Sequence, residues 1–257
     1  MINKLDLTVV TRQSIARDTV ELTLHGFKDI NQIKPGQFIH INVGSESNHM
    51  LRRPISIADV DQTTGTIVII FKIIGAGTDL LSKVSVGERL DVLIPCGTGY
   101  PIDQISVNHA LVIGGGIGVP PLYYLAKQLV ARGVRVTSII GFQTKDAVFY
   151  ESNFAQLGDC YVVTDDGSYG HKGYVTSIID KYSIDYFDYF FSCGPTGMLR
   201  AVSNQLQDHN GFISIEQRMG CGIGACYACV VPTNDDTNGF KKICKDGPVF
   251  RANEVVI

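Results

Sequence analysis

No apolar run in this chain approaches about 18 residues, the length a membrane-crossing helix needs. Its first residues, Met1 to Asp6, lack the apolar core of a secretion signal. No membrane association is therefore expected, and a cytoplasmic location is. Nor is there a basic excess, since 22 lysines and arginines face 25 acids for a net charge of −3. Nucleic-acid proteins usually carry a basic surplus, so no nucleic-acid partner is expected. Repeats, low-complexity tracts and long charge runs are missing. Disorder is excluded as well, because 45% of residues are hydrophobic and only 18% charged. His25, His40, His49, His109, His171 and His209 show no ligand spacing to one another. They read mostly as surface or turn residues and receive no role. No Ser–His–Asp grouping or paired-carboxylate motif emerges.

What the chain does have is length, glycine and cysteine. At roughly 150 residues per domain, 257 residues leave room for two domains. Glycine supplies 27 residues, above the usual ~7%, which points to tight turns and close backbone–ligand approaches. Cysteines stand at 96, 160, 193, 221, 226, 229 and 244. Without a secretion signal, disulfides are the weaker reading, and a tight group of cysteines points to a metal or a cluster.

Three zones differ in pattern. In residues 1–101, Thr19–Leu24 and Gly36–Val43 alternate apolar and polar residues, and Gly65–Ile74 is a β-branched run. Short strands separated by turn residues predict an antiparallel barrel or sandwich. In residues 102–212, the segments Ala110–Val119, Val134–Ile140, Asp159–Thr164 and Tyr186–Cys193 read as strands, and Leu122–Arg132 has helical spacing. Strands alternating with helices predict a parallel, doubly wound sheet, whose ligands sit at the carboxyl ends of its strands. Residues 213–257 show little periodicity and are too few to make much of a core, so an inorganic group is expected to hold them together. The fold class is thus α+β multi-domain: an antiparallel β-barrel, an α/β parallel-sheet domain and a small C-terminal domain.

The spacing Cys221-x4-Cys226-x2-Cys229-x14-Cys244 is the plant-type [2Fe–2S] ligand pattern. The glycines of Gly220 to Cys226 let a loop wrap a cluster and aim N–H groups at its sulfurs. A structural zinc site is the alternative, but zinc usually takes two C-x2-4-C pairs, and only Cys226 and Cys229 form one.

Other motifs are modest alone. Arg52-Arg-Pro-Ile-Ser56 could be a surface turn with a basic tip. Gly114-Gly-Gly-Ile-Gly-Val-Pro-Pro121 ends a strand and opens a helix, where free N–H groups bind phosphate. Its spacing is G-x-G-x-x-P, not the dinucleotide fingerprint G-x-G-x-x-G. Cys193-Gly-Pro-Thr-Gly-Met198 ends a later strand, and Cys193 could be simply a structural residue there. Leu93 to Tyr100 joins the first two zones, with Cys96 read as a buried thiol.

In combination these segments resemble the ferredoxin–NADP reductase superfamily. Thr164-Asp-Asp-Gly-Ser-Tyr-Gly-His-Lys-Gly173 and Glu216 to Cys229 narrow the resemblance to electron-transfer subunits of NAD-dependent (class 1B) dihydroorotate dehydrogenases, from about Leu5 onward. The resemblance implies FAD on the barrel, with Arg53 at its pyrophosphate and Ser56 at its isoalloxazine. Pro54 and Ile55 complete that motif, and Ile55 stands where tyrosine is common. Ile70, Phe71 and Lys72, then Gly77 and Thr78, match the next flavin segments, although the apolar members could be core. NAD is assigned to Gly114, Gly116 and Gly118 and to Cys193, Gly194 and Pro195, with the Cys193 region facing the nicotinamide. The cluster is assigned to Cys221, Cys226, Cys229 and Cys244. Lys145 is present without the arginine cluster a 2′-phosphate would need, so NAD is favoured over NADP.

The resemblance further implies that the chain lacks an organic-substrate site and passes electrons to an FMN-containing catalytic subunit, two copies of each in the assembly, in pyrimidine synthesis. Tyr227 and Ala228 mark the expected docking surface. A subunit of a sulfide dehydrogenase or bifurcating transhydrogenase keeps the same fold with another partner. A zinc-stabilised, non-catalytic binding module is the alternative of another class.

Overall fold

The structure, a computed structural model, describes residues 2–44, 50–181, 186–235 and 239–257. His49 lies outside them. The chain begins with β1 (Asn3–Ala16) and β2 (Thr19–His25), a hairpin whose partner strands follow in β3 (Phe38–Ile41), β4 (Arg53–Asp61), β5 (Thr66–Lys72) and β6 (Arg89–Cys96). They close as a barrel in the order β1-β2-β5-β4-β3-β6, every pair antiparallel. Alternating aliphatic residues fill it, Leu7, Leu22, Ile39, Ile57, Ile69 and Val92 being fully buried. A single short helix, α1 (Ala76–Ser82), follows β5.

Arg53-Pro-Ile-Ser56 is therefore the start of a strand, not a surface turn. Its residues pair with β3 in the register Ile41↔Arg53, His40↔Pro54, Ile39↔Ile55 and Phe38↔Ser56.

The second sheet follows the alternation read from the sequence. β7 (His109–Gly115) leads into α2 (Val119–Val130), then come β8 (Arg135–Phe142), α3 (Glu151–Ala155), β9 (Asp159–Thr164), the short β10 (His171–Lys172), α4 (Val175–Ile179), β11 (Tyr189–Cys193), α5 (Thr196–Gln205) and β12 (Gly211–Ser214). These strands are parallel, in the order β10-β9-β8-β7-β11-β12. All seven residues of β7 are buried, as expected of a strand covered on both faces. The order reverses between β7 and β11, so the crevice for ligands opens at the carboxyl ends of those two strands.

The C-terminal segment departs from expectation. It forms the hairpin β13 (Val230–Pro232) and β14 (Phe240–Lys242), and then β15 (Val249–Arg251), which adds to β12 antiparallel. Its apolar residues do not stand alone. Met219, Ile243 and Phe250 share one buried cluster with Phe38 of the barrel and Leu111 and Ile213 of the sheet. Neighbouring elements thus supply the core that 45 residues could not.

Helix α2 sets the barrel against the sheet. Pro120 and Pro121 occupy its first turn, where a missing N–H costs nothing. Lys127 Nζ lies 2.7 Å from both carboxylate oxygens of Asp59 in β4, and the Tyr124 hydroxyl donates to the Ile33 carbonyl at 3.1 Å. At the other junction, Gly97 has φ +73°, and a Cβ there would lie 2.7 Å from Pro248 Cδ. Cys96 beside it is fully buried, and burial pushes its thiol up to about 12.

Candidate functional site

Arg53 and Ser56 sit three residues apart on β4, ~10 Å at about 3.3 Å per residue. At the Arg53 end, the guanidinium donates to the Leu51 carbonyl and lies across Gly77. A Cβ at Gly77 would come 2.2 Å from its Nε and 2.5 Å from Nη2, so any side chain there would push the guanidinium from this position. The structure thus brings Arg53 together with the Gly77–Thr78 turn, although 24 residues separate Arg53 from Gly77. Thr78 caps α1: its hydroxyl accepts from the N–H groups of Ile74 (3.0 Å) and Gly75 (3.3 Å) and donates to the Gly75 carbonyl. Arg52 has another task, gripping Asp91 of β6 at 2.7 Å. Among the described residues no carboxylate pairs with Arg53, which leaves its charge available to an anion.

Ile55, Ile70 and Phe71 are buried in the core. Only Lys72 of the 70–72 segment is partly exposed, so Ile70 and Phe71 can reach a ligand only through backbone.

At the Ser56 end lies Glu216, a residue to which sequence alone assigns no role. The Ser56 hydroxyl donates to Glu216 Oε1 at 3.4 Å. Glu216 is open to solvent along one side yet hemmed in by protein, and burial pushes its carboxyl up to about 7 against the opposing pull of Ser56. Its charge also acts on Cys193 and Tyr100. The link spans 160 positions in sequence, and no local spacing reveals it.

The two glycine-rich motifs meet across the switch point. A Cβ at Gly118 would lie 2.4 Å from Cys193 C and O and from Gly194 N. One at Gly115 would lie 2.4 Å from Met198 Sδ and 3.2 Å from Pro195 Cδ. A Cβ at Gly114 would press on Val119 at 2.9 Å. Gly116 differs: its φ is +53° and nothing lies within 4 Å, so its backbone borders open space. The Cys193 thiol is fully buried, and burial pushes it well above its ordinary value. Near the ends of β8 and β9, the Lys145 N–H donates to Ser168 Oγ at 2.8 Å, and the Lys145 ammonium lies 6.0 Å over the Tyr169 ring. No guanidinium joins it in those described contacts.

In the cysteine loop the thiols come together two by two. Cys221 lies within hydrogen-bond reach of Cys226, and Cys229 within reach of Cys244. Cys221 and Cys244 are close enough to feel each other's charge. Backbone N–H groups aim at the sulfurs: Cys226 at Cys221 (3.3 Å), Gly224 at Cys244 (3.2 Å) and Cys244 at Cys229 (3.4 Å). Gly222 and Gly224 have φ of +71° and +83°, which lets the loop turn its amides inward. Burial raises the Cys221 thiol, but the N–H groups of Cys226, Ile223 and Ala225 outweigh it and bring it down to about 6. Among the described residues no three metal-ligating side chains converge on one metal-sized point. One tetrahedral zinc asks four donors to converge at about 2.3 Å, whereas two irons share four thiolates as two pairs. The donor set fits a [2Fe–2S] group.

The histidines are not all surface groups. His40 is fully buried, and burial drives its imidazole down to about 4. His109 is buried too, with Nε2 2.9 Å from Thr137 Oγ1.

Comparison with known proteins agrees with this geometry. Residues 216–256 match the family described as the iron-sulfur cluster binding domain of dihydroorotate dehydrogenase B. The electron transfer subunits of dihydroorotate dehydrogenase B (NAD(+)) from Bacillus cereus (strain G9842) and Bacillus mycoides (strain KBAB4) are each 50% identical over 260 residues, covering 100% of both chains. Among solved structures, a chain of the NADH-dependent reduced ferredoxin-NADP oxidoreductase, studied for flavin-based electron bifurcation, superposes with a TM-score of 0.85 at 30% identity. The match covers 97% of this chain and 89% of that one. A ferredoxin NADP+ reductase from Neisseria gonorrhoeae with bound FAD and NADP shares the fold at 16% identity and a TM-score of 0.69, over 84% of this chain and 94% of that one. With full-length identity of 50%, the chain belongs to the family of dihydroorotate dehydrogenase B (NAD(+)) electron transfer subunits.

Proposed function

We infer that this chain carries electrons between NAD(H) and a separate dihydroorotate-oxidising subunit, by way of FAD and a [2Fe–2S] cluster, in pyrimidine synthesis. The observation that carries the reading is convergence. The two glycine-rich loops meet at the switch point, and Glu216 links the Cys193 side of that site to Ser56 of the barrel. The cysteine loop begins five residues after Glu216.

When bound, FAD takes up a hydride's two electrons and releases them singly, while the cluster passes one at a time; the cofactors carry that chemistry. The chain's residues bind and orient. We assign Arg53, with Pro54, Ile55 and Ser56, to the flavin, Arg53 neutralising phosphate charge beside Gly77 and Thr78. Ile70, Phe71 and Lys72 border the same ligand through backbone and the Lys72 side chain. Gly114, Gly116 and Gly118, with Cys193, Gly194 and Pro195, form the nicotinamide dinucleotide site, where open space over Gly116 admits a phosphate to the N–H groups opening α2. Cys221, Cys226, Cys229 and Cys244 hold the cluster. The division 1–101, 102–212 and 213–257 is one of ligands, since β12 spans 211–214 and β15 rejoins the sheet.

The partner in this proposal is an FMN-containing catalytic subunit, two of each chain forming the cytoplasmic assembly. No helix of the described residues is long and apolar enough to cross a membrane. The docking face centres on Tyr227 and Ala228, where Tyr227 is 73% exposed and Lys242 Nζ stands 4.1 Å over its ring. A tagged chain recovered from its host should bring down an FMN subunit, and the complex should reduce NAD⁺ with dihydroorotate. The 30% likeness to a bifurcating enzyme supplies the other outcome. A flavin- and cluster-loaded complex inactive on dihydroorotate would keep the electron chain and overturn this partner.

A further inference from the structure

His40 lies on β3, paired with Pro54 in the register that carries Arg53 to Ser56. Its side chain is fully buried. Among the described residues neither ring nitrogen has a hydrogen-bond partner in ordinary geometry, and of backbone groups only those of Arg52 and Cys221 come near enough to act on the ring. Buried polar groups are nearly always paired, so an imidazole kept at this position needs a reason.

The ring lies against the cysteine loop. A Cβ at Gly222 would come 2.1 Å from His40 Nδ1, 2.8 Å from Cε1 and 3.0 Å from Cγ. Gly222 also has φ +71°, so two independent constraints demand glycine there. The Cys221 backbone is near enough to act on the ring. Behind His40 the strand is anchored, because the Arg52 guanidinium reaches the His40 carbonyl at 3.4 Å, the Asp91 carbonyl at 2.9 Å and the Asp91 carboxylate at 2.7 Å. One side chain therefore joins the strand beside the Arg53–Ser56 motif to the loop that presents Cys221.

We propose that His40 is a positioning residue for the iron–sulfur cluster: its imidazole seats Gly222, fixes Cys221 against the barrel and places a polar ring nitrogen beside that end of the cluster. The proposal rests on the assignment of the four cysteines as ligands. Two effects follow from it. A fixed seat holds the cluster at one distance from the barrel, and polar groups around ligating sulfurs set a cluster's potential.

The test uses the full chain loaded with FAD and cluster. The His40→Leu variant keeps most of the volume without the nitrogens, and His40→Gln keeps a polar end. Cluster spectra and midpoint potential are read by electron paramagnetic resonance during redox titration. Stopped flow with NADH gives the ratio of cluster reduction rate to flavin reduction rate. In His40→Leu the oxidised-to-reduced ratio of the cluster at fixed potential should change at least about threefold, or about 28 mV at 59 mV per tenfold for one electron. The rate ratio should fall, and His40→Gln should recover part of both. Gly222→Ala, which pushes the loop off the ring from the other side, should alter the same spectrum and covers the case in which His40→Leu does not fold. Unchanged spectra and potential in the folded variants would overturn the positioning role. A wild-type chain with no [2Fe–2S] signal would overturn the ligand assignment and the proposal together.

Discussion

An alanine at Gly118 would drive a methyl group into the backbone of the neighbouring loop. Gly118 has φ −78° and ψ −7°, so alanine adopts its conformation freely and the whole effect comes from contact. Its Cβ would lie 2.4 Å from Cys193 C and O and Gly194 N, against an ordinary contact of 3.4 Å or more. The obstacle is backbone on a central strand and cannot swing aside as a side chain would. The β7–α2 loop and the β11–α5 loop must separate by about 1 Å. Overpacking of this kind costs about 1–3 kcal/mol. At roughly 2–4 °C per kcal/mol, the melting temperature should fall by roughly 2–12 °C. The separation also displaces the nucleotide loops, and a 1 Å misplacement can cost about 10²-fold in rate. Thermal unfolding and kcat/KM for NADH–dye reduction measure the two effects. For thermal unfolding Gly116→Ala is the comparison, since its Cβ meets no protein atom within 4 Å and adds only the left-handed backbone penalty of roughly 1–2 kcal/mol. A Gly118→Ala protein matching wild type in both assays would refute the meeting of the loops.

Three further outcomes are expected. Cys244→Ser should remove the cluster's visible absorption, leave flavin absorption in place and lower the melting temperature, because ligand binding is part of this segment's folding energy. Glu216 has a raised carboxyl, about 7 against an ordinary 4.5, so the folded protein holds that proton more tightly than the unfolded chain. Its contribution to stability is present below pH 4.5 and is lost as pH rises through about 7. Glu216→Gln should flatten stability across that window and remove a break near pH 7 from NADH–dye kinetics; an unchanged profile in both would show that Glu216 does not titrate there. Tyr227→Asp should weaken recovery of the catalytic subunit, and an equal loss of NADH–dye activity would show that Tyr227 merely covers the cluster.

The sequence was most legible where local pattern and packing agree. The Asp159–Thr164 strand matches β9 end for end, and the helical spacing from Leu122 lies within α2 except for its last two residues. β1 is legible only in its first half, where Leu5, Leu7 and Val9 alternate toward the core; Thr11 to Ser14 are all polar and exposed, and backbone pairing to β2, not an apolar face, carries the strand through them. The start of β4 looks like a turn in sequence because Arg52-Arg-Pro is polar and breaks ladders, yet Arg53 and Pro54 lie beside β3, and Arg52 just before them is held by Asp91. β15 joins the sheet through β12, 35 residues away, a pairing that periodicity cannot carry. The cysteine spacing named the group to be bound, while the seat beneath it stayed hidden. In Phe38-Ile-His-Ile41 all four residues are buried, since the cysteine loop meets this strand from outside the barrel. Strand alternation alone makes His40 look like an outward, solvated residue.

The most direct measurement is anaerobic reduction of the chain purified alone, followed by absorption and electron paramagnetic resonance. NADH should bleach the flavin and bring up the signal of a reduced [2Fe–2S] cluster with no partner present, and dihydroorotate should do neither. Reduction by dihydroorotate without a partner, or a cluster that NADH leaves oxidised, would contradict an electron path that enters at the glycine-rich loops and leaves through the cysteine loop.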